Sequence, residues 1–343
     1  MSAFAQSTVG EGDRAKGRVL VAEDETLIRL DIRSVLEQRG WEICGEARDG
    51  REAVRLASDL RPDVTLMDVR MPGLDGLEAT RLIQRQRKTP VVVMTAYDRP
   101  SLVVRSILAG ATSYLLKPFA EDALEAALAG VTNRTSSEGK AWTRREPVHT
   151  SPRRDEIVAA AKHLFATKGY EATSTQDIAD SVGLLKGSLY HHISSKQELL
   201  YTVVGSFLDA TDAVRNQVRG FAESPGRRLR RFVASRRALH TLDPDGSAIL
   251  ACAPQTLHGT KMASIMAETV ERDMQFLERL LAEGTAVGAF RLLDEPSSLA
   301  ARSLDVMSAP YRTRSREFGE IDREANACAA FVLAAVNGRY HTD

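Results

Sequence analysis

The sequence predicts two domains: an α/β domain on a doubly wound, five-stranded parallel sheet, then an all-α region that opens with a helix-turn-helix. Three observations carry that prediction. The chain of 343 residues exceeds what one ordinary hydrophobic core organises. Up to about residue 131, short apolar runs alternate with amphipathic stretches, the pattern of strands and their covering helices. From residue 151 onward apolar residues recur at helical spacing and strand-like runs largely disappear.

Composition sets the class. Apolar residues make up 43% and charged residues 27%, as in soluble globular proteins. The formal net charge is zero, so a nucleic-acid surface must be a local face and not a global excess. Cys44, Cys252 and Cys328 lie far apart without metal-ligand spacing. An odd, sparse set points to free thiols in a reducing, cytoplasmic setting. Residues 1–17 are small and polar with no apolar core, so they are expected to be a disordered lead-in and not a signal peptide. No apolar run is long enough to span a membrane.

In the first domain, residues 18–131, the strands are expected at 19–22, 43–47, 64–67, 91–94 and 113–116. Helices are expected near 26–39, 51–60, 77–87, 100–109 and 120–128. Such sheets place ligand chemistry at the carboxyl ends of their strands, and polar residues collect there. Val19-Leu20-Val21-Ala22 runs into Glu23-Asp24-Glu25, and Val64-Thr65-Leu66-Met67 into Asp68. Val91-Val92-Val93-Met94 runs into Thr95, and Tyr114-Leu115-Leu116 into Lys117-Pro118-Phe119. Acids at one edge repel unless a hard divalent cation offsets them, and oxygen ligands with retained water suit Mg²⁺.

These positions, with Met71-Pro72-Gly73-Leu74-Asp75-Gly76 after Asp68, resemble the receiver domain of response regulators, a flavodoxin-like fold. The resemblance implies phosphorylation of Asp68 by a sensor histidine kinase. It implies Mg²⁺ held by Glu23, Asp24, Asp68 and the backbone carbonyl of Arg70. Lys117 and Thr95 would contact the phosphoryl group, with Tyr114 as the switch aromatic, and the Lys117-Pro118 bond is often cis in this family. Glu23 stands where the family more often has Asp, so its metal contact would run through water. Residues 19–31 and 90–119 look closest to receivers that precede RNA-binding antiterminator domains. Phosphorylation would alter the face made by residues 99–110 and the last strand.

Residues 132–150 lose apolar periodicity and read as a polar tether containing Gly and Pro. Trp142 and Val148 either anchor it to a domain or stay exposed.

The second domain begins at a Ser151-Pro152 helix start. Ile157, Ala160, Ala161, Leu164 and Phe165 fall at helical spacing before Gly169. Ser174-Thr175-Gln176-Asp177 caps a short helix that breaks at Gly183, and a second short helix spans 186–193. Two short helices around a Gly turn fit a DNA-reading helix-turn-helix. Leu189 and Ile193, four apart, form its buried side. Adjacent residues on a helix point about 100° apart, so His191-His192 is a poor metal pair. Ser194 or Ser195 then caps a long helix beginning at Leu199-Leu200.

Gly169-Tyr170, Thr173-Ser174, Asp177-Ile178-Ala179, Gly187-Ser188-Leu189-Tyr190-His191-His192 and Ser195-Lys196 make residues 153–204 similar to the DNA-binding domain of TetR-family regulators. That resemblance implies a homodimer on palindromic operator DNA, often a repressor. Its DNA-facing candidates are Thr173, Gln176, Lys186, Ser188, Tyr190, His191 and Lys196, with Arg153 and Arg154 reaching the backbone. Thr175 stands where the family usually has an aliphatic residue.

Residues 205–343 are the expected effector and dimerisation part, helical at 229–240, 261–283, 297–306 and 321–336. The last two would pair with a symmetry mate or pack within one subunit. Arg236 and His240 fall on the apolar stripe of Leu229, Phe232 and Val233. They line an effector pocket for an anion such as an acyl-CoA, or Arg236 is ion-paired to a neighbouring Glu. The expected function is thus phosphorylation-controlled DNA binding. The alternatives are a metabolite-sensing repressor whose receiver is a docking module, an RNA-binding antiterminator, and an enzyme. Against the last, the second half shows no nucleophile–base set or phosphate loop.

Overall fold

The five apolar runs of the first domain become five parallel strands: β1 (Arg18–Ala22), β2 (Glu42–Ala47), β3 (Val64–Asp68), β4 (Val91–Thr95) and β5 (Ser113–Leu116). Their order is β2-β1-β3-β4-β5, the doubly wound order with a switch point beside β1. The structure, a computed structural model, describes residues 15–86, 89–96, 99–136, 152–219, 223–309 and 317–337. The expected lead-in before residue 15 and the tether from 137 to 151, with Trp142 and Val148, lie outside the described residues.

Around the sheet run α1 (Thr26–Gln38), α2 (Gly50–Leu60), α3 (Gly76–Gln86), α4 (Pro100–Leu108) and α5 (Glu121–Ser136). The inner strands β1, β3 and β4 are buried on both sides, which is why they read as continuous apolar runs, while the edge strand β2 is largely half-buried. Val19, Val21, Leu66, Val92, Met94 and Leu115 share one core with Ile32 and Leu36 of α1 and Leu124 and Leu128 of α5. Asp49 starts α2 by accepting the Glu52 amide at 2.9 Å. The helix after β5 runs to Ser136, past the expected tether start at 132.

The helical part comprises α6 (Pro152–Thr167), α7 (Thr175–Ser181), α8 (Lys186–Leu189), α9 (Lys196–Arg219), α10 (Pro225–Leu242), α11 (Pro244–Thr256), α12 (Lys261–Ala286), α13 (Pro296–Ser308) and α14 (Phe318–Val336). It holds two cores. Ile157, Phe165, Ile178, Leu189, Ile193, Leu199 and Val203 form one, closed by Ile249 of α11 and by Leu257 just after it. Phe207, Val214, Leu229, Phe232, Leu277, Leu280, Ala300, Ala325 and Val332 form the other. The Ala-rich face of α14 packs along α10 within the subunit. Two compact units result: the sheet with α1–α3 and α5, and α6–α14 joined by α4. The sequence assigns α4 to the sheet domain, yet its Val104 sits in the second helical core. Among the described residues no helix is long and apolar enough to cross a membrane.

Candidate phosphoacceptor site and nucleic-acid interface

Strand register builds the acidic site. Ala22 pairs with Met67, Asp68 with Met94, and Thr95 with Leu116. Each next residue therefore emerges at the same sheet edge, and Glu23, Asp68, Thr95 and Lys117 converge there. The Lys117 amide donates to the Thr95 carbonyl at 2.7 Å, and the Glu23 amide to Ala47 at 3.0 Å. The Lys117-Pro118 peptide is cis.

One carboxylate oxygen from each of Glu23, Asp24 and Asp68 lies within 4.8 Å of the others. Lys117 Nζ stands 2.5 Å from Glu23 Oε2 and 3.4 Å from Asp68 Oδ1. Burial pushes the Asp68 carboxyl above its ordinary pKa, against the pull of the Lys117 ammonium. Burial raises Glu23 as well, with the Asp68 charge adding to it and the Lys117 hydrogen bond opposing it. Three hard oxygen donors thus face one lysine, the charge balance of an acidic pocket typical of Mg²⁺ sites. Asp24, Asp68, Arg70, Thr95 and Lys117 line a cleft of about 690 Å³. Glu23 is fully buried with its oxygen held by Lys117, and Thr95 and Tyr114 are also buried.

Two residues support the site, of which Arg29 escaped sequence reasoning and Gly76 belongs to the loop already noted after Asp68. Arg29, buried on α1, donates to the Glu23 carbonyl at 2.6 Å and pairs with Glu46 at 3.1 Å, fixing the first acid. Its signal was weak: a lone Arg on the inward face of an amphipathic helix. Gly76 lets the loop return against the acceptor. Its amide donates to Val69 at 2.9 Å, and a Cβ there would lie 1.8 Å from the Asp68 carbonyl oxygen.

The second candidate surface is built by α6, α7 and α8. Ser174 and Asp177 form a reciprocal capping box on α7, with the Asp177 amide 3.1 Å from Ser174 Oγ and the Ser174 amide 2.7 Å from Asp177 Oδ2. Gly183, at φ +66°, closes that helix in the left-handed region. The second short helix is regular only over Lys186–Leu189. It then tightens, with His191 and His192 amides bonding three residues back. Leu189 and Ile193 are buried, as their spacing required.

Gln176, Lys186, Tyr190 and His191 are exposed, and Ser188 and Arg153 are half-buried. Tyr190 Oη lies 3.4 Å from Thr175 Oγ1, giving the unusual Thr175 a local role. Arg153 donates to the Val182 carbonyl at 2.6 Å. Three candidates are turned into the fold instead. Thr173 is buried, its hydroxyl donating to Gly169 at 2.7 Å. Arg154 is buried between the His192 carbonyl and Glu198. Lys196 donates to the Tyr170 and Thr173 carbonyls at 2.9 and 3.0 Å and covers the Tyr170 ring. All three satisfy helix-end carbonyls or buried charge, a demand that sequence spacing does not reveal.

Two family profiles match the chain: "Response regulator receiver domain" over residues 19–129 and "Bacterial regulatory proteins, tetR family" over residues 157–203. Transcriptional regulatory protein PdtaR of Mycobacterium tuberculosis is 44% identical over 155 residues, 44% of this chain and 74% of that protein. Chemotaxis protein CheY of Thermotoga maritima is 34% identical over 103 residues, 30% of this chain and 86% of that protein. The chain belongs to the response regulators. Its receiver is followed by a TetR-family DNA-binding region. The solved structure of ketosteroid transcriptional regulator KstR2 of Mycobacterium tuberculosis covers 55% of this response regulator and 96% of that chain. At a TM-score of 0.51 and 24% identity, it supports the helical fold alone.

In the helical unit of this response regulator, Arg236 and His240 are both buried. Arg236 donates to Thr211 Oγ1 at 2.6 Å and stands 3.3 Å from Asp273 Oδ2, so its ion-pair partner is an Asp on α12 and not a neighbouring Glu. His240 Nδ1 lies 2.8 Å from Ser247 Oγ, and burial beside Arg236 and Arg237 pulls its pKa down to about 3. Arg236 Nε and His240 Nε2 are buried without a hydrogen-bond partner.

Proposed function

We propose that this protein is a DNA-binding transcription regulator, acting as a repressor in the cytoplasm, whose hold on a palindromic operator is set by phosphorylation of Asp68. The observation that supports it most directly is the Asp68 carboxylate 3.4 Å from Lys117 Nζ, inside an open acidic cleft. An Asp68 oxygen attacks the phosphorus of a phosphohistidine on a sensor histidine kinase. The P–N bond breaks, the imidazole leaves with a proton, and an acyl phosphate forms. Lys117 and the Thr95 hydroxyl meet the phosphoryl oxygens. Asp24, Asp68 and the Arg70 carbonyl, with Glu23 through water, would hold Mg²⁺. When bound, the ion offsets charge on the transferring group.

Residues 18–131 are the receiver, 151–204 the DNA-binding part and 205–343 the effector and dimerisation part. Ser188 and Tyr190 enter the groove, while Lys186, His191, Gln176 and Arg153 hold the phosphate backbone. Ala327, Ala330 and Phe331 on the open face of α14 are the surface offered to a second copy of the chain. The test is labelling with acetyl phosphate and Mg²⁺, read by intact mass, beside footprinting on DNA upstream of the protein's own gene. Wild type gains one phosphoryl group and its footprint changes. Asp68→Asn gains none, and retained labelling refutes the acceptor assignment.

A second reading has its own observation. The two orphaned nitrogens of Arg236 and His240, one helical turn apart on α10, favour a polar effector such as an acyl-CoA, with the receiver acting as a docking module. Equal acyl-CoA affinity of wild type and Arg236→Ala removes it.

A further inference from the structure

The residue that opens the second short helix is a poor choice for the fold alone. Among the described residues of the helical unit, Leu185 is the most exposed large apolar side chain, at 80%. It holds the N-cap of α8 in extended backbone, at φ −70° and ψ 145°, and its side chain makes no capping hydrogen bond. Its carbonyl already accepts the Leu189 amide at 3.1 Å, so the helix begins there. Ser, Thr, Asp and Asn suit this position, because a side-chain oxygen satisfies an amide of the first turn. Leucine forfeits that bond and leaves an apolar side chain in water. A lone exposed leucine is ordinary elsewhere on a surface; here it stands where a capping oxygen belongs.

The turn fixes the placement. The Leu184 amide donates to the Ala179 carbonyl at 2.9 Å, and Leu184 packs against the core of Ile178 and Leu189. Leu184 is thus turned inward and Leu185 outward. Gly187, the second residue of the helix, adds a matching observation. It is not among the glycines at positive φ, and a Cβ added to it would meet no atom within 4 Å. Glycine weakens a helix, and neither the backbone nor crowding inside the protein demands it here. An N-cap side chain stands beside the second and third residues of its helix. Leu185 and Gly187 therefore shape one surface, an apolar projection next to bare backbone that a ligand can approach closely.

We propose that Leu185 is a specificity-determining residue that packs on the C5 methyl of a thymine in the major groove, once in each half of the operator. This inference rests on the DNA-binding reading above. The first residues of a recognition helix are the ones that meet base edges. Leucine has neither donor nor acceptor, so it cannot hold a phosphate or read a hydrogen-bonding edge. The thymine methyl is the apolar group that the four bases present in the major groove.

The full chain, with and without acetyl phosphate and Mg²⁺, selects duplexes from a randomised DNA pool. Each thymine of the selected site is then replaced in turn by uracil, which lacks only the methyl. At one thymine per half-site, wild-type affinity is expected to fall about fourfold, the share of one buried methyl. In Leu185→Ser the same replacement is expected to change affinity by less than about 1.5-fold, because the partner of the methyl is gone. The thermal midpoint of that variant should be unchanged or higher, since serine supplies the missing cap. A second variant, Leu185→Gln, is expected to lose the thymine at that position in a fresh selection. A uracil effect of equal size in wild type and Leu185→Ser, or none at any thymine, overturns the methyl contact and leaves operator binding standing. A lower midpoint in Leu185→Ser shows that the side chain packs within the fold, and it overturns the contact as well. Failure of wild type to enrich any sequence under both conditions overturns the DNA-binding reading itself.

Discussion

Removing one carboxylate from the middle of the helical unit tests how that unit is held together. Asp273 is almost fully buried and serves two arginines, Arg215 at 2.5 Å and Arg236 at 3.3 Å. Asp212 joins the group, paired with Arg215 and, at 3.2 Å, with Arg272. Two acids thus face three guanidiniums, two of them buried. Asp273→Ala leaves Arg236 with only the Thr211 hydroxyl, and Arg236 and Arg215 without the anion between them. Breaking a buried pair while keeping one partner costs about 3–5 kcal/mol. With a urea m-value of about 2 kcal/mol/M, the midpoint of the helical unit should fall by roughly 1.5–2.5 M. Far-UV circular dichroism reads that transition. In a Trp142→Phe background, Trp41 emission reads the receiver, because α6 to α14 contain no tryptophan. The double variant Asp273→Leu with Arg236→Met should recover most of the loss, since an apolar pair replaces a desolvated one. If Asp273→Ala costs less than about 1 kcal/mol, water reaches these arginines and the network is not a buried one. The same variant bears on the effector question: an anionic acyl-CoA that binds at Arg236 should stabilise Asp273→Ala more than wild type.

Lys117→Met removes the cation beside both Glu23 and Asp68; acetyl-phosphate labelling should slow by about a hundredfold, and an unchanged rate would show that Lys117 does not meet the phosphoryl group. His240 stays neutral in the fold but protonates in the unfolded chain below its ordinary pKa near 6.5. Its folded pKa is the lower one, so stability is full above 6.5 and declines as pH falls from there toward 3. Between pH 7 and pH 5 the loss is about 2 kcal/mol. Denaturation of His240→Phe at both pH values should lack that increment, and an equal increment in the variant refutes the assignment. Lys186→Ala should weaken operator binding alike on matched and mismatched sites and reduce the log–log salt slope by about 0.9; a changed sequence preference would make Lys186 a base reader instead.

The chemistry of the first domain was legible because a parallel sheet ties sequence position to place. Once β1, β3, β4 and β5 are recognised as buried apolar runs, the residue after each must lie on one edge, and Glu23, Asp68, Thr95 and Lys117 follow. The capped helix at Ser174 was legible for a similar reason, since the capping box is a local pattern. What needed coordinates was long-range. The partner of Arg236 is Asp273, and the cap of Ser101 is Asp322, and no spacing links either pair. Helix α11 went unforeseen because Pro244, Gly246 and Pro254 read as breakers. Pro244 instead occupies the first turn behind an Asp243 cap, where a missing amide costs nothing. The buried residues Ile249, Ala253 and Leu257 keep strict four-residue spacing, a pattern masked by those prolines.

A boundary at residue 204 is natural in sequence, because the family resemblance ends there, but the backbone does not respect it. Helix α9 runs 24 residues without a break, about 36 Å at the usual rise. Its Leu199, Leu200, Val203 and Val204 belong to the DNA-reading core, and Phe207, Ala210, Val214 and Val218 to the core that holds Val104. Thr211 and Arg215, on the same helix, carry the buried charge network. Close-packed interiors respond to displacement by moving whole elements and not by compressing. One helix with a face in each core therefore cannot shift at Val214 and stay still at Leu199. A change in how α4 seats against α9 and α10 and a change in the Arg236–Asp273 network would thus converge on the same rigid rod. Under the two proposed readings, that convergence would give a phosphoryl signal and a metabolite signal a common path to Lys186–Leu189, and would make them compatible inputs to one output.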